Sequence, residues 1–291
     1  MDAQPRRLDK DLTVSAEQQG QMAVDLLATE TGLSKSALKD AMSKGAVWLQ
    51  PGRGQGRRLR RAQTKLYRGD RLRLRYDAAL LKAPVPEARM LCDEGAYGIW
   101  YKPSGMLAQG TDYGDHLALL RVAELWLREN RKDQQATAWL IHRLDREASG
   151  LMLIAYQKRA AAALSEMFQQ KRMEKIYWAQ VLGQTPEAGR IDEPLDGKPA
   201  VTRYERIDQD RSGSISTLEV SIETGRQHQI RRHFEAIGHP LMGDPRYGSG
   251  NKNRDGLKLV AWHLGFQCPL SGKARHYDLA ELAPDLFQVA R

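Results

Sequence analysis

The sequence is poor in cysteine and has no long hydrophobic run. Cys92 and Cys268 are the two cysteines among 291 residues, and neither belongs to a CxxC pair. Such usage is typical of reduced thiols in a cytoplasmic protein rather than of a disulfide framework. No run of about 18 apolar residues is present, which argues against a membrane span. The first twenty residues lack the apolar middle of a secretory signal, so we expect a cytoplasmic location.

Acidic residues are nearly missing from one stretch, which accounts for the whole formal net charge of +9. Between residues 53 and 75, Asp70 is the single acid among ten basic residues: Arg53, Arg57, Arg58, Arg60, Arg61, Lys65, Arg68, Arg71, Arg73 and Arg75. A basic patch predicts a polyanionic partner, with a merely solvated surface as the alternative. Glycines at 52, 54 and 56 indicate a mobile loop that could follow phosphate groups.

Residues 1–79 predict a small α/β domain. Apolar residues within 22–49 have helical spacing, Gly32 separates two helices, and Ser34 is placed to cap the second. AVWLQ (46–50) and GDRLRLRY (69–76) have strand patterns, and the second predicts a strand with one cationic face. Residues 80–89, LLKAPVPEAR, contain two prolines and are the predicted linker.

Residues 90–291 predict a second domain of the α+β class. Helices are expected over 115–130, 158–172 and 225–238. Strand patterns occupy 97–103, 151–155, 175–183, 200–208, 214–222 and 257–266. Several consecutive strands have no helix between them, which favours a mixed, mainly antiparallel sheet over a doubly wound one.

The segment IHRLDREASGLMLIA (141–155) places Asp145 between Arg143 and Arg146, directly before small residues and a strand pattern. The small residues allow another backbone to approach closely. A desolvated carboxylate tends to protonate, whereas a nearby guanidinium lowers its pKa and keeps it charged. An oriented, ionised carboxylate can act as a nucleophile or a base. The alternative interpretation is a solvated surface aspartate.

Four motifs resemble those of one enzyme family. HRLDREASGLMLIA closely resembles the HRLDxxTSG motif of the RluA-type pseudouridine synthases. YKPSGM (101–106), KIYWAQVLG (175–183) and TGRQHQIRRHFEAIGHPLMGDPRYG (224–248) resemble three further motifs of that family, in the same order. Ala148 stands where the family usually has threonine. Residues 15–77 resemble the S4 RNA-binding module, a common companion in this family.

The resemblance implies a pseudouridine synthase fold and the isomerisation of uridine in RNA, without a metal, nucleotide or redox cofactor. In this reaction the glycosidic bond is broken, the uracil turns, and it is rejoined through carbon 5. Asp145 matches the catalytic aspartate, Tyr177 the tyrosine that stacks on the uracil, and Arg231 the cation that pairs with the aspartate. Arg143 matches the arginine that helps to displace the target base. Lys175 would share the face of Tyr177 and contact phosphate or solvent.

The expected partner is RNA, bound by a monomer. The residues expected to bind it in the S4-like domain are Lys35, Lys39, Arg57, Arg58, Arg60, Arg61 and Arg68. The resemblance favours 23S ribosomal RNA or a ribosome precursor, with transfer RNA as an alternative substrate. A non-catalytic RNA-binding or ribosome-assembly protein is an alternative from another class. A glycoside hydrolase is disfavoured, because such enzymes ordinarily use two carboxylates and the motifs offer one.

Several of these residues also have structural interpretations. A strand tyrosine such as Tyr177 often serves in packing, and Arg231 taken alone could be an ordinary surface cation. His228, His233 and His239 match no HExxH-type metal spacing, so no metal is expected there. His142 is expected to be a hydrogen-bonding residue of the turn rather than a general base.

Overall fold

The computed structural model describes residues 7–286, which fold as two compact units. The first contains the described residues up to Val85 together with Gln109–Val122. The second contains Pro86–Ala108 and the described residues from Ala123 to 286. The division into domains 1–79 and 90–291 with a linker at 80–89 stays a prediction.

The first unit consists of three short helices and a four-stranded antiparallel sheet of order β1-β4-β2-β3. Its elements are β1 (Arg7–Thr13), α1 (Ala23–Thr31), α2 (Lys35–Ser43), β2 (Val47–Gln50), β3 (Arg57–Arg58), β4 (Arg71–Asp77) and α3 (Ala78–Lys82). Its core is apolar and includes Leu27, Leu38 and Leu72. The two predicted helices are confirmed.

Local side-chain chemistry explains these elements. The Ser34 hydroxyl accepts a hydrogen bond from the Ala37 amide at 3.2 Å and so caps α2 as predicted. Strand β4 buries Leu72 and Leu74 and exposes Arg71 and Arg73 on its other face, which confirms its cationic face. Strand β1 was not predicted, because its sequence RLDKDLT alternates charged residues with only two leucines.

The second unit contains a ten-stranded sheet whose main path is β10-β11-β12-β9-β13-β8-β6-β5, with β14 beside β13 and β7 beside β8. Its strands are β5 (Arg89–Asp93), β6 (Tyr97–Lys102), β7 (Trp139–Leu140), β8 (Ser149–Ala155), β9 (Glu174–Leu182), β10 (Ala188–Asp192), β11 (Val201–Gln209), β12 (Ile215–Ile222), β13 (Leu259–Gln267) and β14 (Ala274–Asp278). The pair β8–β13 is parallel and the other pairs are antiparallel, which confirms the predicted mixed sheet.

Helices accompany this sheet. They are α4 (Leu119–Asn130), which begins in the first unit, α5 (Lys158–Gln169), α6 (Gln229–Ala236) and α7 (Leu279–Leu282). Leu164 of α5 is fully buried and belongs to the same core as Leu153 of β8 and Val260 of β13. Across residues 7–286, no helix combines the length and the apolar character that a membrane crossing requires.

Two predicted helices begin later than their sequence patterns indicated. Helix α4 starts at Leu119, because Asp115, the first residue of the predicted range, is instead paired with Arg58 and Arg60 of the same unit. Helix α6 starts at Gln229, because the preceding His228 has a left-handed backbone conformation with φ of 51°. A side-chain contact outside the helix accompanies the first boundary, and the backbone conformation of one residue sets the second.

Strand β8 is fully buried, and its first residues lie against β13. Ser149 is registered with Val260, and Gly150 with Ala261. A Cβ atom at Gly150 would lie 2.2 Å from the Ala261 carbonyl oxygen, and Gly150 has a φ of 118°. Both the close approach and the backbone conformation require glycine here. The small residues that follow Asp145 therefore allow another backbone to approach, as predicted.

We expect Gly150→Ala to lower the free energy of unfolding by about 2–3 kcal/mol, because strain in φ and a backbone clash act together. Urea denaturation measures the change. Gly213→Ala is the matched control, since Gly213 also has a positive φ but no atom within 4 Å of its missing Cβ. Equal losses for the two variants would contradict the close approach as the reason for Gly150.

Candidate active site

A cavity of about 500 Å³ opens in the second unit, within the size range of small-ligand sites. Its wall is built from the loop before β8, helix α5, the start of β9 and the segment that leads into α6. It is lined by every residue that the sequence assigned to catalysis or substrate binding: Arg143, Asp145, Lys175, Tyr177 and Arg231. The fold therefore brings together residues that lie up to 88 positions apart.

Arg231 is the most buried charge of this cavity, with 2% of its side chain exposed. Its Nε and Nη2 atoms donate to the two carboxylate oxygens of Asp244 at 2.7 and 2.8 Å. Its remaining Nη1 donates to Asp145 at 3.2 Å and to Glu147 at 3.1 Å. A two-point arginine–carboxylate pair fixes the plane of the guanidinium. The direction in which Nη1 points is thereby fixed too.

Asp244 is fully buried, and its charge is held by donors on several sides. Burial raises the pKa of Asp244, but the guanidinium of Arg231 and the backbone amides of Arg246 and Tyr247 lower it below its ordinary value overall. Burial lowers the pKa of Arg231, whereas Asp244 and Asp145 raise it overall. The pair therefore stays ionised at neutral pH. The sequence analysis missed Asp244, although GDPRY lies within a quoted motif.

Asp145 and Glu147 share the same donor, but their surroundings differ. The Asp145 side chain is 17% exposed and lines the cavity, whereas that of Glu147 is 35% exposed and does not line it. The Nε2 atom of His228 lies 3.9 Å from Asp145, and its Nδ1 is 2.9 Å from the Tyr247 hydroxyl. Burial lowers the pKa of His228, although Asp145 opposes this shift. Of these two carboxylates, only that of Asp145 therefore faces the cavity.

Lys102, at the end of β6, anchors the loop that carries Asp145. Its side chain is fully buried, and Nζ lies within hydrogen-bond distance of four carbonyl oxygens, those of Pro103, Met106, Arg146 and Ala148. Burial lowers the pKa of Lys102 to about 7, while Asp145 and Glu147 favour its charged form. Ala148 contributes its backbone carbonyl at 2.6 Å, a contact that does not depend on a threonine hydroxyl.

His142 has a structural role, as the sequence analysis expected. Its Nε2 accepts a hydrogen bond from the Leu153 amide at 3.0 Å, and its ring stacks on Phe168 with centroids 4.6 Å apart. Burial lowers the pKa of His142 to about 3, so the imidazole is neutral at physiological pH. It ties the loop before Asp145 to strand β8.

Three of the five residues that the sequence assigned to the site are still to be described, and they differ in exposure. Tyr177 is buried, and burial together with the charge of Asp145 raises the pKa of its phenol, so the ring stays uncharged. Lys175 lies with Nζ 5.8 Å from the Phe168 ring centroid, and burial and Lys171 lower its pKa. Arg143 is exposed at the rim. The wall thus offers an aromatic face beside one carboxylate.

The basic residues predicted to bind RNA lie in the first unit and fall into two groups. Arg58 lies over the Trp48 ring at 4.4 Å and, like Arg60, pairs with Asp115. These two guanidiniums are engaged in contacts within the unit. The exposed group comprises Lys35, Lys39, Arg57, Arg61 and Arg68, of which Lys35 also pairs with Asp25 at 2.8 Å.

Asp70, the single acid of the basic stretch, also has a structural role. Asp70 is buried and accepts hydrogen bonds from the backbone amides of Gly52 and Tyr67 at 3.2 and 3.0 Å. It therefore holds both sides of the basic stretch together through the backbone.

Comparisons with known proteins identify relatives of this chain. A protein-family model described as RNA pseudouridylate synthase matches residues 96–236. An uncharacterized RNA pseudouridine synthase of Chloroflexus aurantiacus is 40% identical over 168 residues, 52% of this chain and 52% of the relative. The dual-specificity RNA pseudouridine synthase RluA of Vibrio parahaemolyticus is 35% identical over 193 residues, 58% of this chain and 74% of the relative.

A third relative and a solved structure extend the comparison. The ribosomal large subunit pseudouridine synthase D of Zymomonas mobilis is 36% identical over 172 residues, 50% of this chain and 53% of the relative. The chain thus spans about half the length of the Chloroflexus and Zymomonas proteins. The structure of human RNA Pseudouridylate Synthase Domain Containing 4 has a TM-score of 0.57 at 22% identity, covering 69% of this chain and 90% of that one, which shows a shared fold.

We expect Lys102→Met to lower the free energy of unfolding by about 2–4 kcal/mol, because buried carbonyls lose their donor. Hydrogen exchange of residues 104–106 and 143–148 should rise more than that of β9–β13, because the lost contacts are local to these segments. Lys158→Met, at an exposed lysine of α5, is the control. An unchanged unfolding midpoint and unchanged exchange would contradict the anchoring role.

Proposed function

The chain belongs to the RluA-type family of RNA pseudouridine synthases, and from this premise we propose that it isomerises uridine to pseudouridine in structured RNA, with 23S ribosomal RNA as the substrate. One observation carries the proposal: Arg231 holds the Asp145 carboxylate at 3.2 Å in the wall of a cavity that Tyr177 also lines. The name of the Zymomonas relative supports the choice of ribosomal RNA.

The cavity is suited to a nucleotide that has left its helix. A paired or stacked uridine is out of reach of a side chain, so it must be flipped out at a cost of a few kcal/mol. Stacking on the Tyr177 ring would return about 1–3 kcal/mol. Because the phenol stays protonated, it does not repel Asp145. Arg143 at the rim would occupy the space that the displaced base leaves.

The chemistry would be carried by Asp145. With the uridine beside it, the carboxylate acts as a nucleophile or a base while the bond between N1 and C1′ breaks. The freed uracil turns within the cavity, and C5 forms the new bond to C1′. C5 then loses a proton and N1 gains one, so substrate and product have the same atoms. Arg231 orients the carboxylate through its hydrogen bond, and Asp244 fixes Arg231.

The first unit would hold the RNA. In this proposal residues 1–79 are an S4-like RNA-binding domain, followed by the linker 80–89 and the catalytic domain 90–291. The exposed Arg57, Arg61 and Arg68 would contact phosphates, while Arg58 and Arg60 keep the unit folded.

The enzyme would act as a monomer in the cytoplasm. Transfer RNA, in line with the dual-specificity name of the Vibrio relative, is the alternative substrate.

We expect Asp145→Asn to lower pseudouridine formation by at least about 10³-fold while RNA affinity stays nearly unchanged, because the amide keeps the shape but not the charge. The measurement is a pseudouridine map of transcribed 23S RNA and transfer RNA after incubation with each variant. Glu147→Gln is the control, since Glu147 contacts the same Nη1 atom but does not line the cavity.

The outcomes separate the alternatives. Conversion by Asp145→Asn at the parent's rate would refute the mechanism. Conversion of transfer RNA alone would refute the proposed substrate but not the reaction. RNA binding without conversion of either RNA by the parent protein would favour the non-catalytic RNA-binding protein.

We expect the triple variant Arg57→Gln, Arg61→Gln and Arg68→Gln to weaken RNA binding and to reduce the slope of log affinity against log salt by about 2–3. Fluorescence anisotropy with labelled RNA over a salt series measures both. The control is Lys198→Gln, Arg211→Gln and Lys273→Gln, which removes the same charge at exposed positions of the second unit. Equal slopes for the two triple variants would indicate that the basic stretch is only solvated.

A further inference from the structure

Two histidines and a glutamate converge at the end of the sheet where β9, β13 and β14 run side by side. Gly265 of β13 is registered with Glu174 of β9 on one side and with His276 of β14 on the other. His263 lies two residues before Gly265 on the same strand. Cross-strand neighbours and residues two apart point to the same face of a sheet. One imidazole or carboxylate donor atom from each residue lies within 4.8 Å of the others.

The space between these donors exists because residue 265 has no side chain. A Cβ atom there would lie 2.9 Å from Glu174 Oε2, 3.1 Å from His263 Nε2 and 3.2 Å from His276 Nδ1. Three donor atoms thus surround one point above the glycine. The backbone of Gly265 is not left-handed, so its conformation does not explain the glycine.

His263 is oriented as histidine ligands of metals commonly are. Its Nδ1 lies 2.6 Å from Asp278 Oδ1, a contact that orients the ring and leaves Nε2 beside the space above Gly265. That Nε2 atom is buried and has no hydrogen-bond partner among the described residues, with Glu174 Oε2 at 3.6 Å. A buried nitrogen without a hydrogen bond is costly, and a bound cation would satisfy it.

We propose that Glu174, His263 and His276 form a zinc site above Gly265. Two imidazoles and one carboxylate suit Zn²⁺, whereas Mg²⁺ and Ca²⁺ prefer sites made of oxygen alone. His263 is only 11% exposed and held by Asp278, while Glu174 is 58% exposed and His276 is exposed. The two exposed side chains can therefore close on the ion to bond lengths of about 2.0–2.2 Å. Water would complete the tetrahedron.

The site would have a structural role. Its ligands come from three adjacent strands, so the ion would join β14 and the first residue of β9 to β13. Strand β9 carries Tyr177 three residues after Glu174. Metal binding that is restricted to the folded state adds to its stability. The proposal is independent of the reaction at Asp145.

The test uses the full chain, free of any affinity tag and stripped of metal with a chelator. Titration with Zn²⁺ by calorimetry should show one ion per chain, with Tm raised by about 4–5 °C at an ion concentration one hundred times Kd. Replacement by Co²⁺ should give visible absorption bands of a low-coordinate site.

Glu174→Gln and His276→Ala, both at exposed positions, should each weaken binding at least about tenfold. Asp278→Asn should weaken it by roughly 10–100-fold.

Gly265→Ala is the sharpest variant, because it removes no ligand and fills the space between the three donors. It should abolish stoichiometric binding while the apo protein keeps its fold by circular dichroism. His239→Asn, at a histidine bonded to the Leu182 carbonyl, is the control and should leave the affinity unchanged. Absence of stoichiometric binding by the parent, or equal affinity of the parent and Gly265→Ala, would overturn the proposal.

Discussion

The candidate site depends on one buried cation. Arg231 is enclosed by the protein, and its two-point pair with Asp244 leaves a single direction for the remaining nitrogen. A buried arginine is tolerated only with a carboxylate of good geometry, and removing one partner of such a pair costs about 3–5 kcal/mol. Asp244 is in turn held by two backbone amides. The position of Asp145 is thus determined by Arg231, which lines the cavity, and through it by Asp244, which does not.

A second set of contacts holds the backbone of the loop that carries the same carboxylate. Lys102 binds the backbone carbonyls around Asp145, His142 binds the strand that follows, and Gly150 lets β13 approach to backbone contact. None of these three residues needs to react. Together they make the loop before β8 rigid, and a reacting group must be held within fractions of an ångström to be effective.

The basic stretch of the first unit shows that charge in a sequence is not equivalent to charge on a surface. Arg58 and Arg60 neutralise Asp115, and Arg58 also covers Trp48, so these two arginines serve the packing of their own unit. Asp70, the one acid of that stretch, is buried and accepts hydrogen bonds from two backbone amides. The surface potential is therefore carried by fewer cations than the sequence contains.

Local patterns in the sequence determined a good part of this protein. The alternation in β4, the cap at Ser34, the buried run of β8 and the small residues after Asp145 follow from periodicity and from the volumes of neighbouring side chains. The motif resemblance indicated Asp145, Tyr177 and Arg231, which the fold brings to one cavity.

Only the tertiary structure decided which other residues belong together. It joined Asp244 to Arg231 and the amine of Lys102 to four carbonyls, and it placed His263 and His276 beside Glu174. It also began α4 four residues after Asp115. The physical reason is common to all: periodicity reports which face of an element is buried, whereas the identity of a partner depends on strand order and register. Those are set by the packing of the whole sheet, which no single segment encodes.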